Sequence, residues 1–411
     1  MASVTRRDSP EDTSLLALDP SDVQLYARDT WRPLFARLRR EAPVHRVTES
    51  AHGPFWAVTT HEYITAVESR PDIFSSDAKY GGISIVDLDF KNFISSDRPR
   101  HTEQRRVVSP ALRSTPQLQS MAASILERTS RVLDGLPQDE EFDWVDRVSV
   151  ELTTQMLAIL FDFPWEERRQ LIEWSFWSRN VEAARDPALS ETRNRHLHDM
   201  ATYFGKVWEE RRNAPPAGDL ISLMAHSQEM GDMDWDERLG NLALLIVGGN
   251  DTTRNSMSGL AYGFDLYPDQ WAKLRQNPEL LETAVPEIVR WQTPVISMRR
   301  TCIADAELGG QQIRAGDKVV MWYISANRDE AVFADADLLL VDRANARQHL
   351  SFGFGVHRCL GSRLAELQIR TLLEGMMARG MTVEVTGEAV RPATLSGHGF
   401  ESMPVRLRFD R

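Results

Sequence analysis

The chain is expected to be mainly α-helical, with a few small β-sheets. Apolar residues recur at helical spacing over long stretches, the longest being residues 236–267, about 32 residues or roughly 48 Å of helix. Strand-like alternation is confined to short pieces at 44–47, 55–59 and 318–324. No internal repeat, P-loop or G-x-G-x-x-G occurs, so the chain carries no sign of a flavin or nicotinamide domain.

Composition narrows the function classes. With 411 residues, 42% hydrophobic and 26% charged, the chain suits one large globular domain over 21–411 behind a polar lead at 1–20. A net charge of −12 argues against nucleic acid as a partner. The two cysteines, Cys302 and Cys359, exclude a disulfide framework, and no C-x-x-C-H is present for covalent haem attachment. A single bridge between them would consume the cysteine singled out below. The start, MASVTRRDSPEDTSLLALDP, lacks the apolar core of a signal peptide. No window approaches the roughly 20 apolar residues of a membrane span. A cytoplasmic protein with no membrane anchor is expected.

In chain order, residues 31–40 form a short helix that turns Leu34, Phe35 and Leu38 inward. Residues 44–47 and 55–59 flank Gly53–Pro54 and read as a hairpin, followed by a helix over 61–70 that stops at Pro71. Residues 79–93 make a long apolar loop, and long ordered loops tend to be functional. Ser96 or Asp97 then caps a helix on which His101 and Arg105 stand four apart on one face. Residues 117–162 read as helical and increasingly apolar, and 166–212 as amphipathic helices that could roof a pocket. Another helix begins over 220–226 after a Pro-Pro-Ala-Gly break. The segment 395–409, LSGHGFESMPVRLRF, reads as a hairpin with Gly399–Phe400 at its tip.

The long 236–267 helix carries a polar lesion, LLIVGGNDTTRNS. Gly248 and Gly249 each cost around 1 kcal/mol in a helix interior. Asp251, Thr252 and Thr253 follow an almost wholly apolar run, and such a breach of local preference is expected at a working site. The Thr252 hydroxyl can bond back to the Gly248 carbonyl and open a groove.

The second concentration of chemistry is SFGFGVHRCLGSRLAELQIR, residues 351–370. Cys359 sits at the N-terminal edge of a helix, where free N–H groups and the helix dipole favour a thiolate. The glycines before it let a flat ligand approach the backbone. A thiolate there suits a soft axial ligand to haem iron.

The run Phe352-x-x-Gly355-x-His357-x-Cys359-x-Gly361 resembles the haem-binding signature of the cytochromes P-450, with His357 in the place of the usual basic residue. The segment Gly248–Thr253 resembles the oxygen-activating part of that family's central helix. Glu287-x-x-Arg290 resembles its structural ion pair, with Arg343 the candidate third partner. The resemblance implies a haem-thiolate monooxygenase with haem b, O2 as co-substrate, and Cys359 as the iron ligand. It implies that Asp251 and Thr252 supply protons, that Gly248 and Gly249 make room for bound O2, and that His101, Arg105, Arg300 and His357 hold the haem propionates. Arg299 leaves the register of Arg300 open. Electrons would come from other proteins, a ferredoxin and a ferredoxin reductase. Arg358, Arg363 and Arg106 offer a basic patch for an acidic one.

The strings GGNDTTRNSMSG, PEIVRWQTP, MRRT and GDKVVMWY resemble the bacterial alkane and fatty-acid ω-hydroxylases, which oxidise terminal methyl groups. A hydrophobic small molecule held end-on in an apolar channel is therefore expected. Ile83, Ile85, Val86, Leu245, Val295, Met298 and Phe400 are candidate lining residues. Two other readings stay open: a P-450 acting on terpenoids or steroids, and a non-catalytic haem sensor or carrier.

Overall fold

The long central helix, Trp235–Leu266, is the axis of the fold. It starts where the Asp234 carboxylate caps the Glu237 N–H, with Asp236 and Glu237 in the first turn, where the helix dipole favours acids. It ends at Tyr267, and Pro268 opens the next helix, Pro268–Gln276. Glu151–Phe161, Gln170–Arg179, Leu281–Gln292 and Ser362–Ala378 pack around it. The computed structural model describes residues 14–87, 91–180, 183 and 186–409; most of the polar lead, 1–13, and residues 88–90 of the apolar loop lie outside them.

The largest sheet among the described residues has five strands. Val44–Val47 and Phe55–Val58 form the expected hairpin, with Val44 opposite Val58. Lys318–Met321 adds parallel to Phe55–Val58, Met298–Cys302 adds antiparallel to that, and Phe74–Ser75 closes the far edge. Helix Arg32–Glu41 covers this sheet, burying Leu34, Phe35 and Leu38 as their spacing predicts. Trp322 is buried beside Phe35, Phe55 and Tyr26.

Three expectations are corrected. The helical run predicted over 117–162 is broken: Thr115–Asp134 ends at Gly135, Phe142–Asp143 joins a sheet, and a π-helical turn Val145–Val150 leads into Glu151–Phe161. Gly135 and Pro137 disfavour continuing the helix. Neither Ser96 nor Asp97 caps helix Arg100–Arg113; the Asp97 carboxylate instead accepts from the Ser75 hydroxyl and the Ser76 N–H, tying the helix entry to the sheet edge. The C-terminal hairpin does not form within 395–409. Pro404–Phe409 pairs with the earlier strand Met381–Val385 and with Phe142–Asp143, because its apolar Val405 and Leu407 find their core partners there.

Candidate active site

The cysteine loop is built by backbone constraints. The Phe352 carbonyl accepts the Cys359 N–H at 2.7 Å, folding the intervening residues back on themselves. Gly355 has φ 62°, and a Cβ there would lie 2.5 Å from the Glu68 carbonyl oxygen, so only glycine fits. Helix Ser362–Ala378 starts just after Gly361, where a Cβ would meet nothing within 4 Å. Cys359 keeps partial exposure and receives the Gly361 N–H on its sulfur. Burial nevertheless pushes its thiol up, and the opposing effects of that N–H and of Arg105, Arg358 and Arg113 are smaller. The Gly361 N–H at the helix edge thus acts towards the thiolate, and a coordinating metal ion would supply the remaining charge.

Beside the loop lies a cationic cluster. His101 and His357 contact each other with ring centroids 4.1 Å apart, and the Ser76 hydroxyl lies 3.0 Å from His357 Nε2. Burial, then the guanidiniums of Arg105, Arg98 and Arg300, push His101 down to about 4. His357 is pushed down further, by burial and then by Arg300, His101, Arg105 and Arg98. Both ring nitrogens of His101 and Nδ1 of His357 are buried without a hydrogen-bond partner. Arg105 donates to the Arg358 carbonyl at 2.5 Å, within the cysteine loop. Buried ring nitrogens without partners, set among guanidiniums, make a place that would suit an anion such as the carboxylates of a haem.

Strand geometry separates the two neighbouring arginines. Successive side chains in Met298–Cys302 point to opposite faces. Arg299 pairs with Asp87 and donates to the Tyr80 carbonyl at 2.9 Å. Arg300 faces the histidine pair and reaches Glu68 at 3.3 Å. Arg300 is therefore the member of the cluster.

Across the loop, the central helix carries the expected notch. Thr252 Oγ1 donates to the Gly248 carbonyl at 3.1 Å. Gly248 is exposed although Ile246 and Asn250 are buried, and a Cβ on it would meet nothing within 4 Å, so it faces open space. Gly249 differs from its expected role: a Cβ there would lie 2.7 Å from Leu157 Cδ2, so it makes room for a packed helix. Leu360, next to Cys359, packs in the same apolar cluster as Leu242 and Ile246, bringing loop and helix together.

Asp251 is buried between two cations that the sequence did not single out. Arg179 Nε lies 2.9 Å from one carboxylate oxygen and Arg254 2.7 Å from the other, while the Ser175 hydroxyl donates at 3.2 Å. Arg254 stands at i+3 and was legible as a partner; Arg179 and Ser175 arrive from helix Gln170–Arg179 and had no local signal.

Glu287, Arg290 and Arg343 form a buried triad. Arg290 binds both Glu287 oxygens, at 2.7 and 2.8 Å, and Arg343 Nε lies 3.0 Å from each. Arg290 also donates to the carbonyls of Asn327, Ala336 and Leu338, fixing the coil that leads to the cysteine loop.

The pocket candidates divide. Leu245, Val295, Met298 and Ile83 keep accessible surface, the last while its carbonyl accepts the Arg299 N–H. Ile85 and Val86 are buried in the cluster around Trp322, a correction to their expected place in a lining. Phe400 is corrected too: it is 3% exposed, packed on Tyr262 with centroids 5.0 Å apart, and the Arg391 guanidinium lies 4.0 Å over its ring.

Residues 188–400 match the family described as "Cytochrome P450". The chain is 38% identical over 404 residues to linalool 8-monooxygenase of Pseudomonas putida, covering 95% of this chain and 98% of that one. It is 31% identical to the steroid C26-monooxygenase of Mycolicibacterium smegmatis, covering 94% and 95%. Among solved structures, cytochrome P450-153 from Novosphingobium aromaticivorans superposes with a TM-score of 0.91 at 50% identity, over 95% of this chain and 99% of that one. CYP153D17 from Sphingomonas sp. PAMC 26605 does so with a TM-score of 0.91 at 52% identity and the same coverage. Likeness of this extent, in sequence and in fold, makes the chain a member of the cytochrome P450 family, a haem b monooxygenase that uses O2.

Proposed function

We propose that this P450 hydroxylates unactivated C–H bonds at the terminal methyl of medium-chain alkanes or fatty acids, with electrons from a ferredoxin and its reductase. The observation that carries this reading is the 50% and 52% identity to two P450-153 structures over 95% of the chain. A methyl-branched lipid omega-hydroxylase of Mycobacterium tuberculosis, 31% identical, points the same way by its name.

Cys359 would hold the haem, whose iron would supply the site of O2 activation, and a thiolate ligand there would favour O–O cleavage. The chain's own residues do the rest. His101, Arg105, Arg300 and His357 orient the cofactor by meeting its propionates. Gly248 and the back-bonded Thr252 leave a groove in which the Thr252 hydroxyl can hold and pass a proton. Asp251, held by Arg179 from helix Gln170–Arg179 and by Arg254 from the central helix, can deliver a proton to that hydroxyl only after one of the two guanidiniums lets go. Regioselectivity rests on shape: a terminal C–H bond is stronger than a methylene one, so Leu245, Val295, Met298 and Ile83 must hold the chain end-on.

Product analysis with octane and dodecanoic acid tests the reading; terminal alcohols are expected, and mainly internal alcohols would overturn it. The 38% identity to linalool 8-monooxygenase favours a second reading, a terpenoid substrate. A spin-state titration with alkanes, fatty acids, linalool and sterols separates the two.

A further inference from the structure

Glu68 is placed where local forces do not favour a carboxylate. It is the last residue of helix His61–Glu68, at the end whose dipole repels negative charge, and it is 5% exposed. Its tertiary contacts explain its presence. One oxygen accepts from the Tyr323 hydroxyl at 2.9 Å and lies 3.3 Å from Arg300 Nη2. The other accepts the Phe354 N–H at 2.7 Å, inside the cysteine loop. Its backbone carbonyl is the atom that excludes a side chain from position 355. Glu68 thus touches both the Arg300 guanidinium and the loop that presents Cys359.

Charge accounts for the arrangement. Three guanidiniums, Arg98, Arg105 and Arg300, act on the histidine pair. Glu68 is the carboxylate that touches Arg300. We propose that Glu68 is a positioning residue for the cofactor: it fixes Arg300 and the cysteine loop in one register and sets a carboxylate against the guanidiniums of the cluster. This rests on Arg300 meeting a propionate.

The test uses the haem-loaded enzyme and two readouts other than turnover: the reduction potential of the iron and the rate of haem transfer to apomyoglobin. Glu68→Gln keeps the volume and an acceptor for the Phe354 N–H but removes the charge. Excess positive charge near the iron stabilises the reduced state, so its potential should rise while haem transfer stays within about twofold of the wild type. Glu68→Ala also loses the loop bond and should release haem about tenfold faster. A Glu68→Gln potential equal to the wild type would overturn the proposal, as would equal haem-transfer rates for Glu68→Ala and the wild type. If Glu68→Gln does not take up haem, Tyr323→Phe serves in its place. It strips from Glu68 the hydroxyl that supports its ionised form and should shift the potential in the same direction as Glu68→Gln; no shift overturns the proposal. Arg300→Gln separates the two layers. If it changes neither readout, the propionate assignment fails and Glu68 with it. If it changes both while Glu68→Gln changes nothing, the role of Glu68 alone fails.

Discussion

Thr252 shows how a single hydroxyl can be legible in sequence and specific in structure. Its bond to the Gly248 carbonyl follows from the i−4 reach of a helical threonine, and the structure shows it at 3.1 Å. Thr252→Ala should keep consuming reducing equivalents while product falls at least about tenfold, the lost electrons appearing as hydrogen peroxide. Unchanged coupling, measured as product per reducing equivalent, would remove the relay role. Cys359 had an equally local signal, because its glycine loop and the N–H groups of the helix edge lie in adjacent residues. Cys359→Ser should abolish the thiolate-type absorption of the reduced carbon monoxide complex. Glu68 and Arg179 had no such signal, because what they do depends on partners far along the chain.

Among elements, the coil between Asn327 and the cysteine loop shows how an irregular segment is held. Its carbonyls converge on Arg290 and Arg343, which share Glu287 as their counter-ion. The spacing Glu-x-x-Arg suggested the first pair, whereas the reach to Arg343 depends on how the coil folds back. Glu287→Ala leaves two buried guanidiniums without their counter-charge and should cost about 3–5 kcal/mol. Urea denaturation of the haem-loaded protein checks this, and a loss below 1 kcal/mol would refute the scaffold role. The central helix was the element best read from sequence, because its caps and its apolar run are local. The break at Gly135 was missed where helical periodicity on both sides outweighed two residues.

At the scale of the whole molecule, buried neutral histidines set a limit on acid stability. His349 accepts the Ser351 N–H on Nδ1, and burial pushes it down to about 3. His398 lies against the Gln292 carbonyl, and burial followed by Arg391 pushes it down to about 4. An unfolded histidine takes up its proton near 6.5, so acid favours the unfolded chain. The stability these groups contribute is complete above about pH 6.5 and drains away as pH falls towards 4, and for His349 towards 3. Each should cost up to about 1.4 kcal/mol per pH unit in that window. Thermal unfolding from pH 8 to 4 should show a flat upper limb and a falling lower one. In His349→Gln the lower limb should be shallower, and an unchanged slope would refute the assignment.

The sequence by itself determined the helical class, the central helix and its notch, the cysteine loop, the hairpin and the Glu-x-x-Arg pair. Each is written in neighbours along the chain, through periodicity, caps and glycines. Only the tertiary structure decided which of Arg299 and Arg300 joins the histidine pair, that Phe400 and Val86 are core, and that Asp251 is held from helix Gln170–Arg179. Those outcomes depend on which face of one element meets another, and burial and charge across long sequence separations are settled only when the elements pack.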